Sequence, residues 1–492
     1  MEAGLASEEI ELKFLCEPRD LDAILAAAPG EGLETRALVS TYYDTPDNSL
    51  SRAHISLRLR DGGAKRVQTL KRGEGFAREE YEGPAPAKGL DLSVPALKRA
   101  LKPAQRRSLA PVFTVQVSRR QRTFLHAGAE IELALDTGEV TAGDRRRPIS
   151  EVELELKAGP PEALFDLART LSKIAPLYLS FDGKASQGAA LRDGTELAPR
   201  RNDKARLRRG VTAAQAFQAI ARNALTQIAA NALVLREADG EDALHQLRVA
   251  VRRLRSAIST FKPLVADPVT PDIQAELKWL LSACDEARDL DVFAHDNAAL
   301  SADGDALAPQ VEAARASAHA RTQGAVASKR FRDLVLEAAA WVETGPWLKA
   351  PGKAEKKRGG SAREFAAKAL SRRWKRIVAQ GGDLRALGDA ERHRLRIDAK
   401  KLRYGLEAFL PLFDAATVQR FLKRLKAVQD ELGALNDTAV AGRLVARLKP
   451  TGEGKAAAGR LLAAREAKRA RTLKAADKAM QRLLGARLPW VI

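Results

Sequence analysis

Glu9, Glu11 and Lys13 occupy every second position of Glu9-Ile10-Glu11-Leu12-Lys13. On a β-strand this spacing puts the three charged side chains on one face and Ile10 and Leu12 on the other. Carboxylate oxygens suit hard divalent cations and an ammonium suits phosphate, so the face reads as one that meets metal and anion together. The pattern returns at Glu151, Glu153, Glu155 and Lys157, again with apolar residues between. Other alternating segments add the acids Glu132 and Asp136 and the bases Arg58, Arg60, Lys71, Arg120 and Arg122. In a closed sheet with all of them inward, both sets line a charged tunnel, tolerable only when water, metal and anion fill it. The bases would bind phosphate oxygens. The carboxylates would hold Mg²⁺ or Mn²⁺, which polarises a phosphoryl group or activates water.

A different spacing carries charge farther along. His245, Arg248, Arg252 and Arg255 fall at i, i+3, i+7 and i+10, one stripe of a helix, and His393, Arg396, Lys400 and Arg403 repeat it 148 residues later. Like charges on one helix face repel by roughly 0.2–0.5 kcal/mol per pair, so two such stripes imply a bound polyanion. The same offset pairs Phe261 with Phe409, Lys278 with Lys426 and Asp289 with Asp437. It implies two copies of a helical unit about a pseudo-twofold axis. Asp289, Asp291 and Asp437 read as structural anchors for the arginines. The stripes lack interleaved aromatics for base stacking, which disfavours nucleic acid, whereas polyphosphate needs only charge.

The elements that must position these residues differ along the chain. Up to about residue 200, short alternating segments are separated by turn signals such as Asp61-Gly62-Gly63 and Ala142-Gly143-Asp144. They predict an antiparallel sheet or barrel with helices near 18–28, 92–109 and 161–175. A polar, proline-containing stretch at 198–203 predicts a linker. Beyond it, helical spacing in Ala, Leu, Arg and Glu predicts an all-α region, interrupted by a mobile basic loop at 344–361. The expected class is α+β followed by all-α, with domains at 1–200 and 205–492 and repeats at about 211–340 and 362–490.

Charge follows the same division. The 492 residues carry a net +20. Residues 1–200 hold 29 Lys+Arg against 30 Asp+Glu, whereas 201–492 hold 54 against 33. The whole excess lies in the helical region, which would attract nucleic acid, an acidic membrane face or polyphosphate. No uninterrupted apolar run approaches a membrane span, and the acidic N-terminus lacks the form of a signal peptide. Two widely separated cysteines, Cys16 and Cys284, fit a reduced setting and no metal-ligand spacing. The expectation is a cytoplasmic protein without a membrane partner, with polyphosphate granules as a place of association.

Several motifs appear in an order that resembles the CYTH, or triphosphate tunnel metalloenzyme, superfamily. They are Glu9-x-Glu11-x-Lys13, Tyr42-Tyr43-Asp44-Thr45-Pro46, Leu57-Arg58-Leu59-Arg60, Thr69-Leu70-Lys71, the Glu-rich strand at 151–155 and Gly183-Lys184. The resemblance spans about 1–200. It implies an eight-stranded antiparallel tunnel that binds a triphosphate through its bases, Lys184 among them, and transforms it with a divalent metal on the glutamates. Two of Glu151, Glu153 and Glu155 are expected at the metal, and Tyr42 and Tyr43 are expected to pack. Inorganic triphosphate is the expected substrate, with thiamine triphosphate and ATP left open by the residues. A polyphosphate scaffold without turnover is the alternative, and a class IV adenylate cyclase is disfavoured because no purine-recognition feature is visible. The two helical stripes, with Arg288-Asp289-Leu290-Asp291-Val292, Gln429-Asp430 and Asn436-Asp437, resemble a CHAD domain over about 205–490. That resemblance implies two helical bundles with a basic groove for inorganic polyphosphate. His245 and His393, with few soft ligands nearby, are expected to contact phosphate and not metal.

Overall fold

The structure, a computed structural model, describes residues 7–62, 66–73, 77–201, 205, 207–238, 240–298 and 306–491. The chain divides into two compact units. One runs to Pro199 and includes Val335–Ala340; the other comprises Arg200–Leu334 and the residues from Trp341 onward.

The first unit contains β1 (Ser7–Leu15), β2 (Glu34–Asp44), β3 (Ile55–Asp61), β4 (Arg66–Arg72), β5 (Ala77–Pro84), β6 (Ala110–His126), β7 (Ala129–Ala142), β8 (Arg145–Ala158) and β9 (Tyr178–Ser180). The sheet order is β5-β4-β3-β2-β6-β7-β8-β1-β9, all antiparallel, and β5 also pairs with β1. The first eight strands therefore close into a barrel, as the tunnel reading expects. The short β9 takes the part of β1, Lys13 to Leu15, that β5 leaves unpaired.

Alternation along the strands sorts side chains between two environments. Leu12, Leu57, Leu133, Val152 and Leu154 face outward and are almost fully buried. Helix Glu162–Leu171 packs on β8, and helix Pro95–Ala100 joins Leu50, Leu57 and Leu70 in a second outer cluster. The inner face is split along its length. At one end Tyr42, Phe113, Val115, Val117, Val140 and Ile149 form an apolar cluster with Leu191 of helix Lys184–Asp193. These strand residues share the face of Arg119, Asp136 and Glu151, so the helix closes one end of the barrel from inside. At Gly188 of this helix an added Cβ would lie 2.1 Å from the Phe113 ring, and only glycine permits so close an approach. The remaining interior is charged.

In the second unit the helices repeat. Ala213–Glu237, Glu241–Val265, Thr270–Ala298 and Ala308–Ala327 are followed in the same order by Ala362–Gln380, Asp389–Ala408, Ala415–Leu448 and Gly452–Leu484. The first helices of the two sets are capped alike: Thr212 and Ser361 side chains accept from Gln215 N and Glu364 N. The caps also pair with each other, Ala213 N donating to Gly360 O at 2.8 Å and Ala362 N to Val211 O at 3.1 Å. Phe261 and Phe409, equivalent in the repeat, meet with centroids 5.5 Å apart. These reciprocal contacts between equivalent residues express the pseudo-twofold relation. The 344–361 segment departs from the expected mobile loop. It contains the turn Pro346–Leu348 and helix Lys353–Gly359, and it is anchored by the fully buried Trp347, whose indole donates to Trp341 O at 2.8 Å. Among the described residues, no helix is long and apolar enough to cross a membrane.

Candidate functional site

The charged half of the barrel is lined by paired acids and bases. β1 supplies Glu9, Glu11 and Lys13. Lys71 Nζ from β4 lies 2.6 Å from Glu9 and 3.3 Å from Glu80. Arg78 from β5 bonds Glu11 at 3.0 Å, and Lys13 bridges Glu11 to Glu153, the latter at 2.5 Å. Arg119 from β6 forks onto Asp136, with Nε–Oδ1 at 2.8 Å and Nη2–Oδ2 at 2.6 Å, and reaches Glu153 at 2.5 Å. Lys184, at the start of the closing helix, lies 2.6 Å from Glu151, 2.7 Å from Asp136 and 2.8 Å from Glu153. Gln187, one turn later, donates to Glu151.

Asp136, Glu151 and Glu153 form a buried triad, with one oxygen from each lying within 4.8 Å of the others. Pairing of β7 with β8 sets Asp136 opposite Glu151, and alternation brings Glu153 to the same face. Burial opposes charge on Glu153, yet Lys13, Lys184 and Arg119 outweigh it and hold its carboxyl well below the usual range. Desolvation likewise works against the Lys184 ammonium, but Glu151, Glu153 and Asp136 hold it well above its ordinary value. Three hard oxygens convergent on one cationic centre are a donor set that fits a divalent metal.

Across the barrel, Arg58 and Arg60 face inward from β3. Arg60 has its value pulled down to about 10 by burial and by the neighbouring Arg58 and Arg119. Two guanidinium groups thus face the interior side by side with Arg119 nearby, an arrangement that suits an anion. Tyr42, directly opposite Arg58 in the β2–β3 ladder, does more than pack. Its ring stacks on Phe113, and its phenol feels the charge of Arg58 across the ladder. Burial raises the phenol, but Arg58, Arg60 and Lys184 outweigh it and lower the value.

Two expected bases lie elsewhere. Arg120 and Arg122 point out of the barrel: Arg120 bonds Asp22 at 2.6 Å, and Arg122 donates to Ala28 O at 2.9 Å and Gly30 O at 2.7 Å, past the end of helix Leu21–Ala27. The expectation inverted the faces of β6, and Arg119 is the inward arginine. The apolar side of β6 faces the inserted helix inside the barrel, so its polar side is the outer one. Glu132 and Glu155 face inward but pair with Lys157, at 3.4 and 2.8 Å, and stand apart from the triad. Arg78, Arg119 and Gln187 were missed, although counting alternate positions forward from Phe113 would have reached Arg119. Burial pushes the thiols of Cys16 and Cys284 up to about 11 and about 12, so both are protonated at neutral pH.

In the second unit the two stripes approach each other. Arg252 is lowered by burial and then by Arg248, with Arg396 of the other repeat contributing. Lys400 is pulled down to about 7 by burial, Arg396, Arg252 and Arg403. Arg248 is nearly buried against Asp285 at 2.5 Å, and burial with Arg288 and Arg252 lowers His245. Arg403 leans on the Tyr404 ring, 5.1 Å from its centroid, and lies 3.7 Å from Glu407. His393 is exposed and bonds Asn436 at 2.9 Å, and Arg255 is half-buried. Of the expected anchors, Asp291 bonds Arg315 at 2.7 Å and His319 at 2.8 Å, neither of them in a stripe.

The comparisons with known proteins fall on the same two units. A CYTH domain model matches residues 7–188, and a CHAD domain model matches 219–446. An inorganic triphosphatase from Haemophilus influenzae is 33% identical over 195 residues, 37% of this chain and 55% of the relative. An uncharacterised Mycobacterium tuberculosis protein is 25% identical over 306 residues, 59% of this chain and 58% of its own. The chain thus spans little more than half the length of the curated relatives it matches. The crystal structure of the CHAD domain from the plant Ricinus communis is 31% identical, with a TM-score of 0.52, covering 59% of this chain and 98% of that one. The barrel with its buried charges and the duplicated helices with their facing stripes thus each coincide with a family match, and the chain carries a CYTH domain followed by a CHAD domain.

Proposed function

We propose that the barrel hydrolyses inorganic triphosphate with a divalent metal, Mg²⁺ or Mn²⁺, and that the helical unit binds inorganic polyphosphate. The observation that carries the first part is the interior of the barrel, where the triad Asp136, Glu151 and Glu153 shares the inner face with Arg58 and Arg60, and Glu153 acts electrostatically on Arg60. The name of the Haemophilus relative supports the same substrate. Arg58, Arg60, Arg119, Lys71 and Lys13 would bind the phosphoryl oxygens along the wall, and Lys184 would reach them from the closed end. Asp136, Glu151 and Glu153 would hold the cation, and Glu9 and Glu11 would keep Lys71, Arg78 and Lys13 oriented. When bound, the metal supplies Lewis-acid polarisation of a phosphoryl oxygen or a more acidic water. Closure of one end by Leu191 and its apolar neighbours limits water around the substrate, which strengthens every charge contact there.

Phosphate release from tripolyphosphate, ATP and thiamine triphosphate, with Mg²⁺ or Mn²⁺ and with chelator, tests this reading. Tripolyphosphate should turn over fastest and chelator should stop the reaction. Chelator-resistant turnover, or ATP as the preferred substrate, would overturn it.

The polyphosphate part rests on the two facing stripes, where burial and neighbouring arginines from both repeats lower Arg252 and Lys400. A long polyanion laid between them would relieve that repulsion by supplying the missing countercharge.

A further inference from the structure

We propose that Lys184 is a tethered substitute for the metal: its ammonium occupies the centre of the carboxylate triad until an anion in the barrel draws it away, so that cation uptake follows anion binding. This rests on the triad being the cation site of the reading above and concerns how that site is filled.

The geometry is specific. One nitrogen lies 2.6, 2.7 and 2.8 Å from an oxygen of Glu151, Asp136 and Glu153; it donates hydrogen bonds to the two glutamates and is ion-paired with Asp136. A divalent ion gathering the same oxygens needs the same space. The charge count points the same way. Three carboxylates are met by Lys184, Arg119 and Lys13, so the buried cluster is close to neutral before any metal arrives. Adding two positive charges to a neutral buried cluster is unfavourable, whereas exchanging one base for the cation is not.

Lys184 is the base suited to leave. Arg119 is held by a two-point fork on Asp136, and Lys13 is shared with Glu11. Lys184 holds the triad by a single ammonium on a flexible four-carbon stem, which can turn to a phosphate oxygen without moving the helix behind it. Its departure leaves the triad one positive charge short, and anion and cation binding strengthen each other reciprocally.

The test reads Mn²⁺ binding to the full chain by the spin-resonance signal of free Mn²⁺, with no triphosphate present. Lys184→Met should bind Mn²⁺ at least about tenfold more tightly than the unsubstituted protein, and adding Glu151→Gln should cancel the gain. The substitution leaves a buried negative excess and could impair folding, so a second arm uses the unsubstituted protein in sulfate against chloride at equal ionic strength. Sulfate, a weak Mn²⁺ ligand, should raise Mn²⁺ affinity about threefold or more by engaging the bases. Equal Mn²⁺ affinity with and without the lysine, or no response to sulfate, overturns the substitution by Lys184 and leaves the triad as the metal site. Absence of Mn²⁺ binding under every condition overturns the metal-dependent reading itself.

Discussion

At the scale of single residues, β6 decides a clear contrast. Arg119 reaches two triad carboxylates inside the barrel, while Arg120, its neighbour, bonds Asp22 on the outside. A charge-assisted contact is worth roughly 1.5–3 kcal/mol, so Arg119→Ala should lower kcat/KM for tripolyphosphate by about 10- to 100-fold. Arg120→Ala should change it by less than about threefold, since exposed pairs contribute under about 1 kcal/mol. Steady-state kinetics of the two variants check this, and comparable losses would refute the assignment of the faces. Lys400 makes a second contrast, in pH. Its folded value of about 7 lies below that of an unfolded lysine. The unfolded chain therefore binds more protons between those values, and stability from this group rises as pH rises from about 7 to 10. Thermal melts across that range should show Lys400→Met losing part of the rise. A polyanion between the stripes would restore the charge, so polyphosphate binding near pH 7.5 should take up protons. Calorimetry in buffers of differing ionisation enthalpy measures that uptake.

At the scale of elements, helix Lys184–Asp193 carries both halves of the barrel's interior. Its apolar side closes one end through Leu191, and its first turn delivers Lys184 and Gln187 to the triad. Gly188 sets its depth, because a Cβ would strike Phe113, which is itself stacked on Tyr42. Gly188→Ala should destabilise the barrel by about 1–3 kcal/mol through overpacking. It should also reduce triphosphatase activity in the folded fraction, since the helix must shift with Lys184 on it. Denaturant melts paired with specific activity separate the two effects. Retention of both stability and activity would show that Phe113 yields without moving the helix.

For the whole molecule, the two units divide charge as they divide fold. Residues 201–492 have 54 Lys+Arg against 33 Asp+Glu, and the first 200 residues are nearly balanced. Binding of long-chain polyphosphate to the full chain should weaken steeply with salt as condensed counterions are released. Replacing Arg248, Arg252, Arg396 and Lys400 together by alanine should flatten the plot of log affinity against log salt by roughly 0.7 for each phosphate contact removed. Titrations at several salt concentrations supply the slope. An unchanged slope would place the polyanion away from the stripes.

What could be read from the sequence alone was whatever depends on local period. Charges two apart along β1 and β8 revealed the inner face, since alternation is a property of any strand. Charges at helical spacing, repeated at one offset, revealed the duplicated helices and their stripes. Tertiary structure alone decided which acids converge. Asp136 meets Glu151 and Glu153 because β7 pairs with β8 in one register, whereas Glu132 and Glu155 stand farther along the same face with Lys157. It also decided the inner face of β6, where a helix some 60 residues later in the chain reversed the usual meaning of an apolar side. Trp347 likewise ordered the segment at 344–361, whose composition reads as a loop, by burying its indole beside Trp341. Period is set by neighbours along the chain, but register, insertion and burial are set by residues distant in sequence, and those contacts chose the residues of the site.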